Sequence, residues 1–155
     1  VGNEQVKVTF DLYMVNYTTT TRSLDIQING GSGIGAFLSI DQNASTGPTL
    51  KYHDGSAWKV MASNVASDAW ETMEIHADSG TDTFTVTYAD TTYDNAGAGY
   101  GFFSSSIGDL ESIRFYANTA NYQKYYMDNV VIQSIPEPAT LALLGLGSLL
   151  IRKKR

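Results

Sequence analysis

Apolar and polar residues alternate from the start of the chain: Val6, Val8, Phe10 and Leu12 stand between Lys7, Thr9 and Asp11. A period of two marks a strand with one face buried and one wet, because successive side chains leave a strand on opposite sides. Leu24, Ile26 and Ile28 repeat the pattern around Asp25 and Gln27, and Asn29-Gly30-Gly31 then turns the chain. Shorter runs follow at 35–40, 49–52 and 58–61, broken by Asp, Asn, Gly and Pro. Met73 and Ile75 mark a strand over 71–77, and Phe84, Val86 and Tyr88 set against Thr83, Thr85 and Thr87 mark its partner. Asp78-Ser79-Gly80-Thr81-Asp82 joins these two as a hairpin loop. Runs at 101–104, 113–117 and 125–133 bring the total to about ten segments at the spacing of an all-β sandwich or barrel. No helical period occurs before residue 135. The expected fold is an antiparallel two-sheet sandwich burying Val6, Val8, Phe10, Ile26, Phe84, Val86, Phe115 and Val130.

The pattern changes abruptly at the C-terminus. Pro136-Glu137-Pro138 is followed by an apolar run from Ala139 to Ile151 and by Arg152, Lys153, Lys154 and Arg155. The two prolines fix φ and bias Ile135 and Glu137 to extended geometry, so no helix runs back through the triplet. Leu and Ala then favour a short hydrophobic helix. Its roughly thirteen residues reach about 20 Å, short of a comfortable bilayer span, so the four cations must snorkel or thin the membrane. The positive-inside bias keeps those cations cytoplasmic and places residues 1–134 on the far side.

In order, spacing and terminal position this tail resembles the PEP-CTERM sorting signal of exported bacterial proteins, with Pro136, Glu137 and Pro138 as the sorting motif and Arg152 to Arg155 as the membrane stop. The resemblance implies exosortase as a partner and a cell-surface or extracellular-matrix destination, with the segment a transient or permanent membrane anchor. The competing reading is a plain single-pass anchor. A tail of this kind also presupposes a secretory signal peptide, and the chain opens at Val1 without one, so Val1 is expected to begin a processed chain or a fragment.

Charge narrows the partners. Ten basic against sixteen acidic residues give a net charge of −6, and the tail holds much of the basic complement, so nucleic acid is excluded as a partner. Cysteine is absent, which removes disulfides and thiol chemistry. A domain of this length buries enough surface to fold without them.

Val8-Thr-Phe-Asp-Leu12 near the start and Tyr125-Tyr-Met-Asp-Asn-Val-Val-Ile132 near the end resemble the first and last strands of concanavalin A-like and carbohydrate-binding-module jelly rolls. Tyr52-His53-Asp54-Gly55 before Trp58 is similar to a hairpin of laminin-G-like members. The resemblance implies a jelly roll over residues 1–133, followed by the sorting signal over 134–155, with the first and last strands paired. It also implies a structural calcium ion held by Asp128 and Asp11 as oxygen ligands. Alternatively Asp128 and Asn129 cap a bulge or bond a neighbouring loop.

Catalytic chemistry is sparse. Glu71 and Glu74 lie three apart on a strand and face opposite sides, so they cannot flank one bond. Asp109 and Glu111 share a phase but sit at the Gly108 turn. His53 and His76 fit no metal or triad spacing, and Ser104-Ser105-Ser106 has no neighbouring base. No enzyme activity is expected.

The aromatics offer sugar stacking, since a ring face matches the C–H face of a pyranose. Tyr93, Tyr100 and Tyr122, in loops, are the expected ligand contacts, whereas Trp58 and Trp70 are expected in the core. Two functions stand: an exported non-catalytic surface or matrix protein, and a carbohydrate-binding module of a larger secreted glycan-active protein with a polysaccharide partner. An aromatic row on one face would separate them.

Overall fold

The computed structural model describes residues 4–15, 22–42, 47–105, 107–117 and 125–135. Tyr122 and the whole of 136–155, with the sorting triplet, the expected helix and the basic stop, lie outside them. No helix among the described residues is long and apolar enough to cross a membrane.

Two antiparallel sheets carry the fold. The first runs in the order β11 (Tyr125–Ile135), β1 (Gln5–Met14), β6 (Trp70–Asp78), β7 (Thr83–Tyr88) and β8 (Thr91–Tyr93), with β9 (Tyr100–Gly101) also on β7. The second runs β10 (Leu110–Ala117), β2 (Arg22–Gly30), β3 (Gly33–Gln42), β4 (Thr49–His53) and β5 (Trp58–Ser63). The first and last strands pair, Val8 opposite Ile132 and Leu12 opposite Met127.

The alternation seen in the sequence is the alternation of burial. Val6, Val8, Phe10, Leu12 and Met14 of β1 face Leu24, Ile26 and Ile28 of β2 and Leu38 and Ile40 of β3 within one continuous core. Phe10 is fully buried and meets Phe115 edge-on at 5.0 Å. Burying such a ring contributes about 1.5–3 kcal/mol from area alone. The Gly31-Ser32 turn between β2 and β3 is pressed onto the 107–109 segment, where Gly31 N and Ser32 N donate to Asp109 O and Ile107 O. A Cβ at Gly30 would lie 2.7 Å from both of those carbonyl oxygens, so the close approach requires glycine.

Three expectations change. The 101–104 run is a strand only at its first residue, because the segment crosses between sheets. Phe102 N donates to Asp82 O at one side, and Phe103 N and Ser104 N donate to Gly35 O and Ile34 O of β3 at the other. Thr91–Tyr93 is a strand too short to show a period. Val130 is 48% exposed. β11 is an edge strand, and the register shift between Thr9 and Asp11 marks a bulge at Asn129, whose φ is +51°. Beyond β1 the two sheets part and leave an open groove lined by Val6, Val8, Ile28, Leu110, Ile113 and Ile132. Side chains of β11 that point inward there meet no opposing sheet, which is why Ile132 is also exposed at 57%.

Candidate functional site

The outward face of the five-stranded sheet concentrates chemistry that the core does not explain. Leu24, Ile26 and Ile28 turn into the core, so Asp25, Gln27 and Asn29 take the other face of the sheet, where Asp25 and Gln27 are themselves covered, at 3% and 8% exposure. Cross-strand register then assembles two rows. Tyr116 opposes Asp25, Asp25 opposes Ser39, Ser39 opposes Lys51 and Lys51 opposes Val60. In the second row Arg114 opposes Gln27, Gln27 opposes Phe37, the Phe37 ring stacks on His53 at 6.0 Å, and His53 opposes Trp58. At about 4.8 Å per strand each row spans on the order of 19 Å, the length of three or four sugar rings.

One end of this face is aromatic. Phe37 meets Trp58 at 4.8 Å and Phe103 at 5.7 Å, and His53 meets Phe103 at 4.8 Å. Trp58 is 41% exposed, so the indole is anchored along one side and open along the other. Both tryptophans expected in the core are therefore outside it, Trp70 at 54%. The hairpin that presents Trp58 is held by Asp54, whose Oδ1 accepts from Ser56 N, Ser56 Oγ and Ala57 N at 2.9, 2.7 and 2.8 Å. The Ser56 hydroxyl first, then these backbone N–H groups, hold the Asp54 carboxyl well below the usual carboxylate range. Gly55 N donates to His53 Nδ1 at 3.1 Å, which leaves the ring proton on Nε2.

The other end is polar. Ser39 Oγ lies 2.7 Å from Asp25 Oδ1 and 2.9 Å from Asp41 Oδ1, and one hydroxyl proton serves one of them at a time. Lys51 pairs with Asp41. Gln27 Nε2 donates to Tyr116 Oη at 2.8 Å. Burial, then the Asp25 charge, raise the Tyr116 pKa above 10.0, so the phenol keeps its own proton to donate. Asp25, Ser39 and Gln27 are buried beneath this half, and the polar groups it leaves open are Tyr116 and Arg114.

Tyr93 and Tyr100 are half-buried and packed against the core; Tyr100 lies 4.6 Å from Tyr52 and 5.8 Å from Phe84. Asp11 and Asp128 are direct partners across β1 and β11. Asp11 Oδ1 accepts from Thr72 Oγ1 at 2.8 Å and Oδ2 from Asn129 Nδ2 at 2.7 Å, while Asp128 Oδ1 accepts from Asn129 N at 2.8 Å. Among the described residues there is no group of three or more His, Asp or Glu side chains that could hold a metal ion. Through these bonds the two carboxylates and Asn129 clamp the bulge. Glu71 and Glu74 do lie on opposite faces: Glu71 shares the inward phase of Met73 and Ile75, and Glu74 pairs with Lys7 outside.

The outward rows escaped the sequence reasoning, although a signal existed. Phe37 occupies the polar phase of β3, between inward Ala36 and Leu38.

Fold and tail together define a class: an antiparallel two-sheet β-sandwich followed by a protein-sorting signal. Residues 134–155 match the PEP-CTERM protein-sorting motif, which implies export and exosortase processing. No curated protein is similar to the chain. Among solved structures, a sialidase superposes with a TM-score of 0.63 at 14% identity, covering 84% of this chain and 13% of the sialidase. Sheep galectin-11, in complex with glycerol, gives 0.53 at 6% identity, covering 83% of this chain and 89% of the galectin. A family 18 polysaccharide lyase gives 0.54 at 9% identity, covering 87% and 74%. At these identities the likeness is one of fold. The chain spans only a small part of the sialidase.

Proposed function

We propose that this chain is an exported, non-catalytic protein of the cell surface or extracellular matrix that holds polysaccharide on the outward face of its five-stranded sheet. The observation that carries the reading is the row Arg114, Gln27, Phe37, His53 and Trp58, which has an open indole at one end and an exposed guanidinium at the other, with Gln27 buried between them. A pyranose chain laid across the strands would stack its C–H faces on Trp58 and present hydroxyls to Tyr116, which Gln27 holds from beneath, and to Arg114. The galectin and the polysaccharide lyase share the fold, and the lyase's polysaccharide substrate lends the reading support. Asp25 and Asp41 are engaged with Ser39 and Lys51, and that engagement favours a binding role over a catalytic one. In the sorting part of the reading, exosortase acts at Pro136-Glu137-Pro138 while the apolar segment holds the chain in the membrane with its C-terminus cytoplasmic.

The test is a glycan array with the purified chain and its Trp58→Ala and Arg114→Ala variants. Loss of a stacked aromatic at such a site costs about 1–3 kcal/mol, so Trp58→Ala is expected to weaken binding roughly 10- to 100-fold. Unchanged binding in both variants would refute the assignment of this face.

A further inference from the structure

The opposite face of the molecule carries a second aromatic row. Tyr13 of β1 opposes Tyr126 of β11 on one side and Trp70 of β6 on the other. Its ring lies 6.0 Å from Tyr126 and 5.7 Å from Trp70. Leu12 and Met14 point into the core, so these three rings point out from the six-stranded sheet. Trp70 is 54% and Tyr126 48% exposed. The next outward row on the same strands is Asp128, Asp11 and Thr72. Thr72 and Asn129 fix the Asp11 carboxylate, which uses two of its roughly four acceptor positions for them and keeps the others for an incoming hydroxyl.

We infer that this face is a second glycan-contact surface, and that the domain is therefore bivalent, joining two separate polysaccharide chains. The ring spacings of 5.7 and 6.0 Å are close to the length of one pyranose unit, and fixed acceptors lie beside the rings where equatorial hydroxyls would fall. Asp11 and Asp128 with a net charge of −6 disfavour uronates and sulfated polymers, so the ligand class is a neutral glycan. The rings are tilted against one another by 57° and 67° and form no common plane. They suit a single twisting chain and not the flat face of a crystal. Since the two sheets pack back to back at about 10 Å, the rows of Trp58 and Trp70 point in opposite directions and no one stretch of glycan reaches both. Bivalency rests on the function proposed above; the second surface itself does not.

The experiment is native gel retardation of the full chain in gels containing hydroxyethylcellulose or galactomannan, with viscosity of the same mixtures as the readout of cross-linking. Trp58→Ala and Trp70→Ala are each expected to keep partial retention and to abolish the viscosity rise, and the double variant to lose retention. Trp70→Phe, which keeps a ring, is expected to restore cross-linking, and Tyr126→Ala to repeat the Trp70→Ala defect in a second position. Crystalline cellulose is expected to pull down none of them. If retention depends on Trp58 alone and Trp70→Ala and Tyr126→Ala match the wild type in viscosity, the second surface is overturned while the first stands. If it depends on Trp70 alone, the first face falls and bivalency with it. A wild type unretained by either polymer overturns both.

Discussion

Replacing Gly55 by alanine tests the link between the β4–β5 hairpin and the aromatic end of the site. Gly55 has φ +88°, and a Cβ there would lie 2.6 Å from Phe103 O. That oxygen cannot retreat freely, because Phe103 N is bonded to Gly35 O at 2.8 Å. Left-handed backbone costs an L-residue about 1–2 kcal/mol, and the contact adds the displacement of one segment or the other, for a total of about 2–4 kcal/mol. In a domain of this size that lowers Tm by roughly 6–15 °C. Gly97 separates the two contributions: its φ is +86° with nothing within 4 Å, so Gly97→Ala carries the dihedral cost alone. Gly101, with open space and no left-handed φ, is the control expected to change little. The assay is thermal melting of the three variants, followed by Trp58 emission, since Phe103 lies 4.8 Å from His53 and 5.7 Å from Phe37. A Gly55→Ala protein no less stable than Gly97→Ala would refute the close approach, and with it the argument that the crossing segment buttresses the site.

Three further outcomes are expected. The Asp54 carboxyl is held below its ordinary 3.8, so its contribution is complete above the unfolded value and is lost as pH falls through the folded one; the Tm gap between wild type and Asp54→Asn should be constant from pH 7 to 5 and shrink below about pH 4. Thr72 and Asn129 hold the Asp11 carboxylate in place without a cation, so EDTA should leave Tm unchanged and Asn129→Ala should lower it, whereas an EDTA-induced drop reversed by calcium would establish Asp11 and Asp128 as ligands. In a host carrying exosortase, Pro136→Ala with Glu137→Ala should leave membrane insertion intact and stop processing, as shown by cell fractionation and the mass of the mature protein; a wild-type surface form that still contains Leu141 to Arg155 would make the tail an ordinary anchor.

Burial phase was legible in the sequence wherever a strand had neighbours on both sides. β1, β2, β6 and β7 lie within their sheets, and their inward residues meet an opposing layer, so alternation in sequence became alternation in burial. It failed at the edge: β11 has a neighbour on one side only, and past the bulge at Asn129 its inward residues open onto the groove, which no single-strand pattern reports. Sheet crossing at 101–104 was equally hidden, because the hydrogen bonds that define it join Phe102 to Asp82 and Phe103 to Gly35, partners chosen by tertiary geometry.

The candidate sites were hidden for a different reason, one of composition. Trp58 and Trp70 are expected in the core, yet phase decides burial in a two-faced strand. Tyr13 shares its phase with Lys7, Thr9 and Asp11, and Phe37 shares its phase with Ser39 and Asp41. An aromatic ring in the polar phase leaves apolar area in water, offset in part by packing on the rings across the strands. Three of these rings fall in register on one sheet, and on the other Phe37, His53 and Trp58 gather round Phe103. Scattered exposed aromatics are ordinary on a protein surface. Alignment across three strands is what cross-strand packing on a wet face rewards, since facing aromatic pairs stabilise a sheet by about 0.2–1 kcal/mol each. The proposed glycan contact therefore has to be read from loss of binding in Trp58→Ala and Trp70→Ala, over and above any loss of stability that the pairs themselves explain.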